Sequence, residues 1–73
     1  MTKYYVGYTQ GNNEYVYVTQ LEATNVRVTT LIESAISFDD VELAKSLVNV
    51  AKTIVANQDY VVLEITTDIK EVK

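Results

Sequence analysis

Two sets of side chains in this sequence have the types and spacing to do chemistry. The first is acidic. Asp39, Asp40 and Glu42 crowd into four positions, with Glu33 upstream and Glu64 and Asp68 downstream. Such a cluster suits a cation site or an acid pair, and Glu64 or Asp68 alone suits a general base. A calcium loop, however, spaces its oxygen ligands around a glycine that is missing here. The second set is aromatic: Tyr5, Tyr15 and Tyr17, from a chain with six tyrosines and no tryptophan. Tyrosines gathered on one surface serve as a protein interface or as a stacking platform for single-stranded bases. The bland alternative is that tyrosine favours strands and pairs across them.

The residues that are absent narrow the chemistry further. The chain has no histidine and no cysteine, which excludes Ser-His and Cys-His nucleophile pairs, thiol redox centres and ordinary zinc sites. Its glycines, Gly7 and Gly11, lie in and beside the first strand, so no glycine loop cradles a phosphate. The expectation is a non-enzymatic protein with no cofactor and no metal.

The acidic cluster stands where a helix must begin. From Asp39 to Asn57 the apolar residues follow a helical period, with Leu43, Ala44, Leu47, Val48, Val50, Ala51, Ile54 and Val55 on one half of the cylinder and Val41 at its margin. That stripe is wider than a surface helix needs, which calls for a sheet beneath it and a second partner at its edge. Asp39 and Glu42 read as a capping box, with Ser37 and Asp40 as a rival, and Phe38 and Leu43 as a hydrophobic staple. Asn57 suits the left-handed conformation that ends helices.

The tyrosines belong to strands. Lys3 to Gln10 and Glu14 to Gln20 alternate tyrosine and valine around Gly11-Asn12-Asn13, the pattern of a β-hairpin. Alternation places Val6, Val16 and Val18 under the helix and leaves Tyr5, Tyr15 and Tyr17 on the opposite, open face. Asn25 to Leu31 reads as a third strand after an approach turn, Glu22 to Asn25. Residues 32–38 fit a strand extension, a helical turn or an irregular run. Tyr60 to Thr66 is the strand of highest propensity, with Val61, Leu63 and Ile65 assigned to the helix, while Thr67 to Lys73 frays or continues it. The sum is one small two-layer α+β domain over residues 1–73, β-β-β-α-β, with one amphipathic helix on a mainly antiparallel sheet.

With 73 residues, the core is small, and neither disulfide nor zinc is present to staple it, so a homodimer is the expected route to further burial. Ten acidic against six basic residues give a net charge of -4, which opposes nucleic-acid backbones and anionic membranes. No bilayer-length apolar run or signal-peptide core appears, and the reading is a cytoplasmic protein.

The hairpin KYYVGYTQGNNEYVYV, the segment AISFDDVELAKSLVNVAK and the closing DYVVLEITTDIKEV together resemble small uncharacterised proteins encoded by phages and prophages of Gram-positive bacteria. The resemblance implies a class, short acidic cytoplasmic accessory proteins that bind a host or phage protein, and carries no functional residue. The expected function is therefore protein-protein binding through Tyr5, Tyr15 and Tyr17 or the uncovered edge of the helix. The alternative is an acidic decoy in which Glu33, Asp39, Asp40, Glu42, Glu64 and Asp68 imitate a phosphate backbone and inhibit a host nuclease or defence protein.

Overall fold

Alternating tyrosine and valine build the centre of the molecule. A computed structural model of the chain describes residues 2–11 and 14–72. Strands β1 (Lys3–Thr9) and β2 (Tyr15–Leu21) form the expected hairpin, followed by β3 (Val26–Thr29), helix α1 (Val41–Ile54), β4 (Val61–Ile65) and β5 (Ile69–Val72). All five strands pair antiparallel in the order β3-β2-β1-β4-β5, and α1 packs on β1 and β4. This is the expected α+β architecture with one strand more, because the tail turns at residues 66–68 and returns along β4. Met1, Asn12, Asn13 and Lys73 lie outside the described residues, so only the flanks of the predicted Gly-Asn-Asn turn are seen. Gly11 there adopts φ 77° and accepts from the Glu14 N-H at 3.2 Å.

The hairpin pairs along only part of its length. Gly7, Tyr8 and Thr9 oppose Tyr17, Val16 and Tyr15, and below Gly7 the two strands part. The residues before the helix fill the gap. Tyr4 and Phe38 exchange both backbone hydrogen bonds at 2.8 Å, and the Ile36 N-H donates to the Val18 carbonyl at 3.1 Å. Residues 32–38 are thus a short 3-10 turn, Ile32–Ser34, followed by an extended wedge between β1 and β2. Gly7 sits where the strands diverge, and a Cβ there would stand against the Val16 carbonyl, well inside contact distance, and 3.3 Å from Leu63 Cδ1.

Registers assign the faces. Val6 opposes Val62, Tyr4 opposes Glu64, Tyr8 opposes Val16 and Val18 opposes Val28, so these side chains share the helix side. The main core gathers Val6, Val18, Val26, Ala44, Ala51, Tyr60 and Val62, with Phe38, Leu47, Val48 and Ile54 packed against it. This corrects the assignment of β4: Tyr60 and Val62 meet the helix, while Leu63, opposite Tyr5, is fully buried on the other face. A strand buried on both sides carries no alternation from which to choose.

The helix is shorter and differently capped than its sequence suggests. It starts at Val41, so Asp40 is the N-cap, accepting from the Glu42 N-H at 2.9 Å. Asp39 instead meets Lys3 Nζ at 2.5 Å, tying the helix entry to β1, and this bond raises the Lys3 pKa. Glu42 sits beside Lys45 at 3.5 Å and makes no reciprocal cap. Leu43 is exposed, so no staple forms with Phe38. The helix closes at Val55, whose extended backbone (φ -130°) ends it two residues before Asn57. Ala44 and Ala51, both fully buried, let the helix backbone approach the sheet closely.

Replacement of Gly7 by alanine tests the strand junction. Urea unfolding of Gly7→Ala is expected to show a loss of about 3 kcal/mol or more, the upper range for overpacking. Gly11→Ala, with open space around it but a left-handed φ, should lose about 1–2 kcal/mol. Equal losses would mean that the strands separate freely at Gly7.

Candidate functional site

The tyrosines divide by face. Tyr4, Tyr8 and Tyr60 lie on the helix side, where Tyr8 and Tyr60 stack edge-to-face with centroids 5.6 Å apart. Tyr5, Tyr15 and Tyr17 share the face away from the helix, as alternation predicts. They are less exposed than an uncovered face implies: Tyr17 keeps 7% of its surface, and Tyr5 and Tyr15 are half-buried. Tyr5 and Tyr17 meet edge-to-face at 6.1 Å, a geometry contributing about 0.5–1.5 kcal/mol beyond its buried area.

Sheet curvature accounts for this burial. The Tyr15 hydroxyl donates to Glu71 Oε2 at 2.6 Å, joining β2 to β5 across β1 and β4. In a flat sheet those strands lie about 14 Å apart, three spacings of about 4.8 Å. The side chains meet only because the sheet coils, bringing opposite corners of this face together. Beneath the bridge lie Gly7, Tyr17 and Leu63, which form a second, smaller buried patch. The Glu71 carboxylate first, then desolvation, raises the Tyr15 pKa above the ordinary phenol value, and burial does the same for Tyr17.

A different apolar surface stands open. Leu43 is 55% and Val50 46% exposed, one heptad apart on α1. Leu43, Leu47, Val50 and Ile54 recur at intervals of four, three and four residues, the spacing of a continuous helical seam. Leu47 and Ile54 are half-buried at the core's margin, so the seam runs along the flank of the helix. Beside it, the Ser46 hydroxyl donates to the Glu42 carbonyl at 3.0 Å and that of Thr53 to the Val50 carbonyl at 2.6 Å. Their polarity is thereby turned inward onto the helix.

A shallow cleft of about 610 Å³ follows β3, lined by Thr19, Asn25, Val26, Arg27, Val28, Thr29 and Ser34. A register shift in β2 between Val18 and Gln20 accompanies it, with the Thr19 hydroxyl donating to the Arg27 carbonyl at 3.3 Å. Arg27 Nε lies 3.3 Å from Glu22 Oε2 in a solvent-exposed pair.

The six carboxylates named above do not converge. Asp39 holds Lys3, Asp40 caps the helix, Glu42 sits by Lys45, and Glu64 accepts from the Tyr4 hydroxyl at 3.4 Å on the helix side. Asp68 is in the β4-β5 turn and Glu33 in the 3-10 turn. Among the described residues no group of three acidic side chains is arranged to hold a metal ion. No helix among them is long and apolar enough to cross a membrane. The seam and the cleft escaped sequence reasoning in part: Leu43 and Val50 were legible as apolar, but their exposure depends on how the helix is rolled on the sheet. The chain matches no protein-family model, no curated protein and no solved structure.

The Tyr15-Glu71 bridge has a pH signature. A phenol whose folded pKa is raised adds stability that is fully present below its unfolded value, about 10, and lost as pH rises through the folded value. Thermal melts of the parent and Tyr15→Phe across this alkaline range should therefore converge as pH increases, with the parent more stable at neutral pH. A constant gap would show that the hydroxyl bond contributes nothing to the bridge.

Proposed function

We propose that this is a non-catalytic accessory protein that acts in the cytoplasm by binding another protein, and that the seam along α1 is its contact surface. The observation that carries this reading is the exposure of Leu43 and Val50 beside the fully buried Ala44 and Ala51. Apolar side chains aligned on a helix and left in water favour a protein partner, which removes them from it. The inward-turned hydroxyls of Ser46 and Thr53 favour the same use, since a hydroxyl already bonded to a helix carbonyl is less costly to cover. The absence of histidine and cysteine from the sequence and the resemblance to phage accessory proteins agree with this class of function.

Tyr5, Tyr15 and Tyr17 contribute less in this reading, because the rings of Tyr5 and Tyr17 already contact one another and the Tyr15 hydroxyl is held by Glu71. The acidic decoy is disfavoured by the carboxylates themselves. Four of the six are engaged by the chain's own groups, Asp39, Asp40, Glu42 and Glu64, and a phosphate mimic needs a continuous, unengaged row.

A photoreactive side chain placed at exposed Ser46 tests the seam in extracts of cells that make the protein natively. The expected result is a discrete heavier adduct, lost in Leu43→Lys with Val50→Lys, and not formed with the same probe at Lys70. Both substitutions fall at exposed positions and should change stability by about 0.5 kcal/mol or less each. No adduct, or one indifferent to the double substitution, would overturn the assignment.

A further inference from the structure

The sheet has two free edges, and they differ. β5 presents Ile69, Lys70, Glu71 and Val72, two of them charged, and Glu71 is held by Tyr15. Charges along an edge discourage another strand from adding to it. β3 presents Val26, Arg27, Val28 and Thr29, three of them β-branched, the composition that favours strand pairing.

The backbone of β3 is oriented to accept a neighbour. The Asn25 carbonyl accepts from the Glu22 N-H at 2.8 Å, and the Arg27 carbonyl from Thr19 Oγ1, so Asn25 and Arg27 both face β2. Alternation then turns the N-H and C=O of Val26 and Val28 outward. Among the described residues no turn or loop bonds to those groups, and the cleft lies along this strand.

We propose that β3 is the interface of a homodimer, in which two copies pair edge to edge, antiparallel, about a two-fold axis normal to the sheet. Such an axis preserves the faces of the sheet, so opposed residues must point to the same side and outward-facing residues must meet. Three registers satisfy this within reach of β3. Val26 on Val28 of the second copy places Arg27 opposite Arg27, a like-charge pair. Val26 on Val26 runs the pairing into the Glu22-Asn25 turn. Val28 on Val28 sets Arg27 opposite Thr29, twice by symmetry, and keeps the central pairs within the strand. Charge and strand length therefore select the third register. The result is a ten-stranded sheet that carries both helices on one face, with their Leu43-Val50 seams free for the partner proposed above.

Because the chain has no native cysteine, the register is testable by oxidation of single-cysteine variants. Arg27 and Thr29 of opposite copies would form a non-hydrogen-bonded pair, whose short Cα separation of about 4.5 Å suits a disulfide. Mixing Arg27→Cys with Thr29→Cys should give a disulfide-linked dimer, while either variant alone should stay largely uncrosslinked. Light scattering of the unsubstituted chain should give twice the chain mass. Val28→Pro, which removes an outward N-H without touching the β2 ladder, should halve that mass. Efficient crosslinking of Arg27→Cys with itself would overturn the register. A monomeric mass for the unsubstituted chain up to millimolar concentration, or a dimer whose mass Val28→Pro leaves unchanged while its fold persists, would overturn the interface. None of these results depends on whether the helix seam binds a partner.

Discussion

The fold depends on a close approach of two backbones at Gly7. There β1 lies against the Val16 carbonyl with no room for a side chain, and from that point the hairpin strands separate. The separation makes space for Ile36 and Phe38, whose backbones satisfy the groups that β1 and β2 no longer offer one another. A buried backbone group without a partner is costly, so the wedge is a condition of the split. It also delivers the chain to Asp40 at the foot of β1, where the helix can begin and lie along β1 and β4.

Coiling of the sheet around the same junction lets a chain of 73 residues bury side chains on both faces. One layer of helix covers the first face. On the second, no helix is needed: Tyr17 and Leu63 are removed from water by their neighbours and by the Tyr15-Glu71 bridge. Small domains bury a low fraction of their surface, and a second buried patch adds to the limited area available under the helix. The fully buried Ala44 and Ala51 act in the same direction from the other side, drawing the helix close but leaving Leu43 and Val50 outside the contact.

The elements with a clear period were legible in the sequence: the tyrosine-valine hairpin, the helix, the third strand and the highly apolar β4. The features that were not legible all depend on partners distant in the chain. Alternation within YVVLEIT offered two faces, and only the Val6-Val62 register decides that Tyr60 and Val62 take the helix side. The sequence pointed to Asp39, or to Ser37, as the cap, but the Lys3 ammonium claims Asp39 and Asp40 caps the helix instead. Residues 32–38 have no period because a 3-10 turn is followed by Ile36 and Phe38, which bond to different strands, at Val18 and Tyr4. The location of Tyr5, Tyr15 and Tyr17 on the open face was readable, whereas their burial follows from sheet coiling that no local pattern encodes.

The split hairpin also divides the sheet into pairings of very different range along the chain. The end of β1 and β2 next to Gly11 needs only a short loop to close, and contacts of that kind form within microseconds. The diverging ends cannot be completed locally, because one side of Tyr4 waits for Phe38 and the other for Glu64, some sixty positions along. Closing such long loops is the slow part of reaching a structure rich in distant pairings. The wedge therefore divides the hairpin into a half whose partners are local and a half whose partners, Phe38 and Glu64, lie far along the chain.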